Sequence, residues 1–202
     1  AMRIIDGGVC APQGFQASGF NGNIKGKGLD RKDCALVTSQ VKAAIAGTFT
    51  TNVLKAPPIQ WTEGVCIRGE GRAIFINSGN ANACTGSIGV NDAQKTAERI
   101  ALALEIPVTE AAVLSTGVIG VPLPMDRILN GVDGCVNALS PAGNLDAAQA
   151  MAQLRSGAGL RLQGDPRLGY SGSVWWLAFS VENPSATALS LLIDNPFVDH
   201  LQ

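Results

Sequence analysis

Short, wholly apolar runs alternate along this chain with longer stretches in which apolar positions recur at helical spacing, the mark of a mixed α/β fold. The runs AIFIN at 73–77 and AVLST at 112–116 read as buried strands, and ALVT at 35–38 as a third. The β-branched and aromatic residues that close the stretch 42–51 predict another strand near Phe49, and Pro57-Pro58 breaks whatever precedes it. The glycine-rich stretch 7–28 reads as turns joining short strands.

Three helices follow from the same pattern. Ala93, Ala97, Ile100, Ala101 and Leu104 share one helical face, with Asn91 as N-cap, Gln94 as its capping-box partner and Pro107 as the stop. Pro122 and Pro124 suit the entry to a second helix with an inner face of Met125, Ile128, Leu129, Val132 and Val136, weakened by Gly131. A third spans 145–154. Near Arg155 the character changes: the last lysine is Lys95, and 156–173 is glycine-rich without a period. We read residues 1–155 as one α/β domain and 156–202 as a divergent segment. In that segment the apolar runs 174–181 and 187–193, joined by the turn 182–185, predict a β-hairpin packing on the first domain.

Composition narrows the function. Apolar residues make up 46% of the chain and charged ones 15%, enough to bury a core, while a net charge of −1 offers no basic field for nucleic acid. Five scattered cysteines without a CxxC pair, and a lone His200, argue against a metal site and point to free, mostly buried thiols. No signal-type segment or membrane-length apolar run is visible, Ala1-Met2 reads as an expression remnant, and the expected setting is soluble and cytoplasmic. A Ser-His-Asp triad would depend on His200 beside the C-terminus, and neither a Walker A loop nor a dinucleotide glycine motif is present.

Two loops can carry chemistry. Asn77, Ser78, Gly79, Asn80 and Asn82 follow a strand and can present backbone N–H groups and side-chain amides to a carboxylate or an oxyanion; the same residues are also the ordinary makings of a strand-to-helix turn. In STGVIG at 115–120, a strand ending at Thr116-Gly117 can aim a hydroxyl and a backbone N–H at one point, as a developing carbonyl oxyanion requires; it is equally an ordinary strand exit.

At these loops the chain resembles the ornithine acetyltransferases, the bifunctional glutamate N-acetyltransferases of arginine biosynthesis. The matching stretches are GVCAPQGF at 8–15, AGTFTTN at 46–52, APP at 56–58, NSGNANACTG at 77–86 and STGVIGVPLPM at 115–125, in the family's order, so the likeness covers about residues 3–151. It implies a layered α/β fold like the family's α chain, of N-terminal-nucleophile type. It also implies a precursor that cuts itself before a threonine, whose new N-terminus is the nucleophile. The substrates implied are N-acetylornithine and glutamate, with no dissociable cofactor, although acetyl-CoA is a donor for some members. Thr116 and Gly117 would form the oxyanion hole.

After residue 151 the likeness stops. The family's TTDT segment, its lysine-bearing KGSGMI-like loop and its cleavage threonine are not found, and the β chain is absent. A faint echo in PSATALSLLI at 184–193 would make Thr187 the nucleophile. Two readings stay open. The chain is an α-chain-like part of an acetyltransferase that needs a β-type partner or a homo-oligomer, inactive alone; or it is a non-catalytic assembly protein or truncated relic on the same scaffold.

Overall fold

In a computed structural model of the chain, residues 6–28 and 30–152 are described. The hairpin at 174–193, Thr187 and the boundary at Arg155 lie outside them. A mixed sheet in the order β1 (Phe15–Phe20), β2 (Cys34–Ala44), β3 (Glu70–Asn80), β4 (Ala111–Val118) carries helices on both faces. β1–β2 and β2–β3 are antiparallel, and β3–β4 are parallel. The parallel pair needs a crossover, which α2 (Gly86–Leu104) supplies.

Strand alternation sorts the core into two. Cys34, Leu36, Ala73, Phe75, Ala111 and Val113 face α1 (Pro57–Ile67), α2 and α3 (Met125–Asn137), among Ala97, Ile100, Ile128 and Val132. The intervening Ala35 and Ile76 turn the other way and meet Ala17 and α4 (Asn144–Ala152) through Ala147 and Ala150. Each face buries a different half of one period-2 pattern, so a one-residue slip would exchange the two cores.

Several expectations are corrected. Phe49 lies in no strand: β2 continues past a bulge to pair Ala43 and Ala44 with Gly71 and Glu70, and the chain then leaves the sheet, so 48–51 has no partner ladder. Pro57-Pro58 does not merely end a segment. The two prolines occupy the first turn of α1, where a missing N–H costs nothing. Thr85, not Asn91, is the N-cap of α2, and Gln94 bonds Glu98 along the helix instead of capping it. Gly131 is a packing device more than a weakness, since a Cβ there would come within 2.6 Å of the Cys34 sulfur.

α1 also covers the start of the edge strand. Trp61 Nε1 donates to the Ala111 carbonyl at 2.9 Å. The Thr62 hydroxyl donates to the Val113 carbonyl at 2.8 Å and accepts from the Val113 N–H at 3.1 Å. This saturates the outer edge of β4 at its beginning. Among the described residues, no side chain caps that edge from Ser115 onward.

All five cysteines are free; Cys34 and Cys135 are buried, Cys10 and Cys66 half-buried and Cys84 exposed. Burial drives the Cys135 thiol up to about 12 and the Cys34 thiol well above its usual range. Iodoacetamide at pH 8 is therefore expected to label Cys84 rapidly, and Cys34 and Cys135 only as fast as the chain unfolds. Equal labelling of all three in native protein, read by peptide mass, would contradict this packing. Above pH ~9 unfolded thiols ionise while Cys135 stays protonated up to about 12, so that group should cost stability through pH 9–12 by roughly 1.4 kcal/mol per unit, and Cys34 acts in the same direction.

Candidate active site

β3 and β4 run side by side to the same end of the sheet, and both sequence-selected loops are that end. Asn77 stands opposite Ser115, Ser78 opposite Thr116, Gly79 opposite Gly117 and Asn80 opposite Val118. Residues 78–80, expected as a turn, are the last residues of β3. The Ser78 N–H donates to the Asp33 carbonyl at 2.8 Å and holds them extended.

The two glycines bring the strands unusually close. Gly117 has φ 135° and Gly79 φ 113°. A Cβ on residue 117 would sit 2.5 Å from the Asn80 nitrogen and from the Gly79 oxygen, and closer still to the Gly79 carbonyl carbon. Only glycine fits this approach. The Ala81 N–H donates to the Val118 carbonyl at 2.8 Å and the Gly120 N–H to the Ala83 carbonyl at 2.9 Å, so the two loops are laced together beyond the strands.

The asparagines are structural members of this junction. Asn77, 2% exposed, accepts from the Ser115 hydroxyl and donates to the Asn80 carbonyl at 2.9 Å. Asn80 donates to the Val121 and Pro122 carbonyls at 3.0 and 3.3 Å, fixing the path from β4 into α3. Asn82 donates to Gly89 at 2.7 Å and accepts from the Thr85 hydroxyl at 2.6 Å, anchoring the first turn of α2. Their side-chain amides are therefore committed to partners within the fold. Buried amides fully paired in this way rigidify a loop.

Thr116 and Gly117 differ. Thr116 is half-buried and Gly117 exposed. Among the described residues, the Thr116 hydroxyl has no hydrogen-bond partner. Val118, Ile119 and Val121 beside them are 57%, 64% and 47% exposed, an apolar rim around a polar tip. Thr187, the tentative nucleophile, lies outside the described residues.

Sequence reasoning missed Asp33. Its carboxylate is buried and accepts from the Gly22 and Ile24 N–H groups, both at 2.7 Å, while its carbonyl holds Ser78. It thus clamps the loop before β2 onto the end of β3. The stretch GNIKGKGLDRKD at 22–33 offers two acidic residues, Asp30 and Asp33, and residue type alone does not single out the second. Among the described residues no group of side chains suits a metal ion, and no helix is long and apolar enough to cross a membrane.

Over most of the described residues the chain is similar to known proteins. The ArgJ family profile matches residues 16–153, and a profile described as 7TMR-DISM extracellular 2 matches residues 139–202. The arginine biosynthesis bifunctional protein ArgJ of Symbiobacterium thermophilum is 51% identical over 150 residues, 74% of this chain and 37% of that protein. Its counterpart in Caldanaerobacter subterraneus subsp. tengcongensis is 46% identical over 150 residues, 74% of this chain and 36% of that protein. The chain thus spans little more than a third of the length of these relatives. The crystal structure of ornithine acetyltransferase complexed with ornithine from Mycobacterium tuberculosis superposes with a TM-score of 0.68 at 44% identity, covering 73% of this chain and 80% of that one. The arginine biosynthesis bifunctional protein ArgJ of Bacillus halodurans gives 0.63 at 36% identity, covering 71% and 74%.

Proposed function

This chain belongs to the ArgJ family, and from that we propose that the joined ends of β3 and β4 are the oxyanion-stabilising part of an acetyl-transfer site. The reaction is transfer of acetyl from N-acetylornithine to glutamate, in arginine biosynthesis. The observation that supports it best is the contrast at one point of the sheet. The side-chain amides of Asn77, Asn80 and Asn82 are tied down, while the Thr116 hydroxyl is unpartnered among the described residues and Gly117 is exposed.

The chemistry follows from that contrast. A nucleophilic hydroxyl adds to the acetyl carbonyl, whose π electrons move onto oxygen. The Thr116 hydroxyl and Gly117 N–H stabilise that oxygen, and the C–N bond to ornithine breaks as its nitrogen takes the proton. The glutamate amine then repeats the addition on the acetyl ester and releases the hydroxyl. No cofactor is needed, and acetyl-CoA would enter only as an alternative donor. Asn77, Ser78, Gly79, Asn80 and Asn82 hold the donors in place, as preorganisation demands, since rigid donors need no rearrangement when charge develops.

The nucleophile comes from a β-type partner, or from a second copy of the chain. Val118, Ile119 and Val121 are a surface such a partner would cover, and the uncapped edge of β4 from Ser115 onward is continuous with it. Mixing this chain with the complementary C-terminal portion of a bacterial relative is expected to give a complex that transfers acetyl from N-acetylornithine to glutamate, while the chain alone does not. A stable complex without turnover would favour the assembly reading and refute the catalytic one.

A further inference from the structure

Beside the β3 end lies a cluster of cations. The loop between β1 and β2 winds through three left-handed positions, Asn23 at φ 51°, Gly26 at 66° and Gly28 at 58°. It is held by the Asp33 clamp and by the Asn23 side chain, which accepts from the Gly28 N–H at 2.9 Å. Asn23, Lys25, Lys27, Arg31 and Asp33 line a shallow surface cleft. Arg127, from the first turn of α3, lies against Gly26 and donates to the Ile24 carbonyl at 3.5 Å.

These charges are left over. Lys32, Lys42, Lys55 and Arg99 have acidic partners; Lys25, Lys27 and Arg31 have none among the described residues. Of the acidic residues of this loop and of α4, Asp33 is engaged by two backbone N–H groups and Asp146 by Lys32, while Asp30 is exposed and offsets part of the positive charge. A chain of net charge −1 thus gathers unpaired positive charge at one spot. That spot adjoins the acyl loop. The Lys25 stem is packed on Gly79, with Cγ 3.0 Å and Cε 3.4 Å from where a Cβ on residue 79 would be, and Gly79 stands opposite Gly117.

We propose that the Lys25–Lys27–Arg31 cleft, fixed by Asp33 against Gly79, binds an anionic group, carboxylate or phosphate, carried by an acyl donor or acceptor at the β3–β4 loop. That the anion belongs to an acyl substrate rests on the acetyl-transfer reading; that the cleft binds an anion does not. Lys25 and Lys27 are exposed and Arg31 is half-buried, which suits a salt-sensitive electrostatic contact more than a rigid bidentate one. Its use would be to hold the charged end of a substrate while the acyl carbon meets Thr116 and Gly117.

The test needs no turnover. The full chain, labelled with ¹⁵N, is titrated with glutamate, coenzyme A and inorganic phosphate. Saturable shifts are expected in the amides of residues 22–28 and of Gly79, weakening as salt is raised. The double variant Lys25→Ala/Arg31→Ala should bind at least tenfold more weakly with an unchanged melting temperature, and Lys95→Ala as well as the parent. Saturation by glutamate alone identifies a carboxylate site, and saturation by coenzyme A and phosphate alone a phosphate site. Shifts scattered evenly over the surface, or a double variant that binds as tightly as the parent, would overturn the proposal. Because binding is read on the unreacting chain, a failure of acetyl transfer leaves this result untouched.

Discussion

Gly117→Ala is expected to destabilise the chain by about 4 kcal/mol, a large part of the ~5–15 kcal/mol that holds a domain of this kind together. Two causes add. A φ of 135° lies in territory open essentially to glycine, at a cost of ~1–3 kcal/mol for any other residue. The new methyl would also press on the Gly79 carbonyl and the Asn80 nitrogen, and overpacking of that kind costs ~1–3 kcal/mol. Those atoms are backbone, pinned by the ladder and by the bond from Ala81 to Val118, so they have little room to yield. Gly79→Ala is the internal comparison. Its φ of 113° is also strained, but the methyl would meet the flexible Lys25 stem at 3.0 Å, so the loss should be smaller. Urea denaturation of both variants checks the order; a Gly117→Ala midpoint equal to the parent's would mean that the strands are not so close.

Thr116→Ala has the opposite signature. Its hydroxyl has no partner within the described fold and its side chain is only half-buried, so unfolding free energy should move by less than about 1 kcal/mol. Turnover in the reconstituted complex should drop ~100- to 1,000-fold, the usual cost of removing one oxyanion donor. Because that interaction forms only as charge develops, kcat and kcat/KM should fall together. Thr116→Ser, which keeps the hydroxyl, should recover most of the rate. Loss of rate in equal measure for alanine and serine would point to packing instead of donation.

Much of this arrangement is legible in the sequence. The apolar runs at 73–77 and 112–116 mark the two strands, and the shared end of those strands is where STGVIG and NSGNANACTG fall. What misleads is residue type read without its neighbours. Asn and Gly suggest that β3 stops at Asn77, yet β4 alongside and Asp33 behind keep residues 78–80 extended. Pro57-Pro58 looks like a breaker and is a helix start, because a proline at the first turn gives up a hydrogen bond the helix never makes. Phe49 looks like a strand residue and has no ladder to join. The role of Asp33 was hidden for another reason: its partners are backbone N–H groups about ten residues away in the chain, and those carry no side-chain signature.

Of the two proposed oxyanion donors, the N–H of residue 117 is the one that no side-chain substitution removes. Replacing Gly117 with glycolic acid turns the Thr116–Gly117 amide into an ester, which deletes that N–H while adding no Cβ. In the reconstituted complex, kcat for acetyl transfer should fall ~100- to 1,000-fold while the protein stays folded. Full turnover by the folded ester would contradict the assignment of the oxyanion site to this loop.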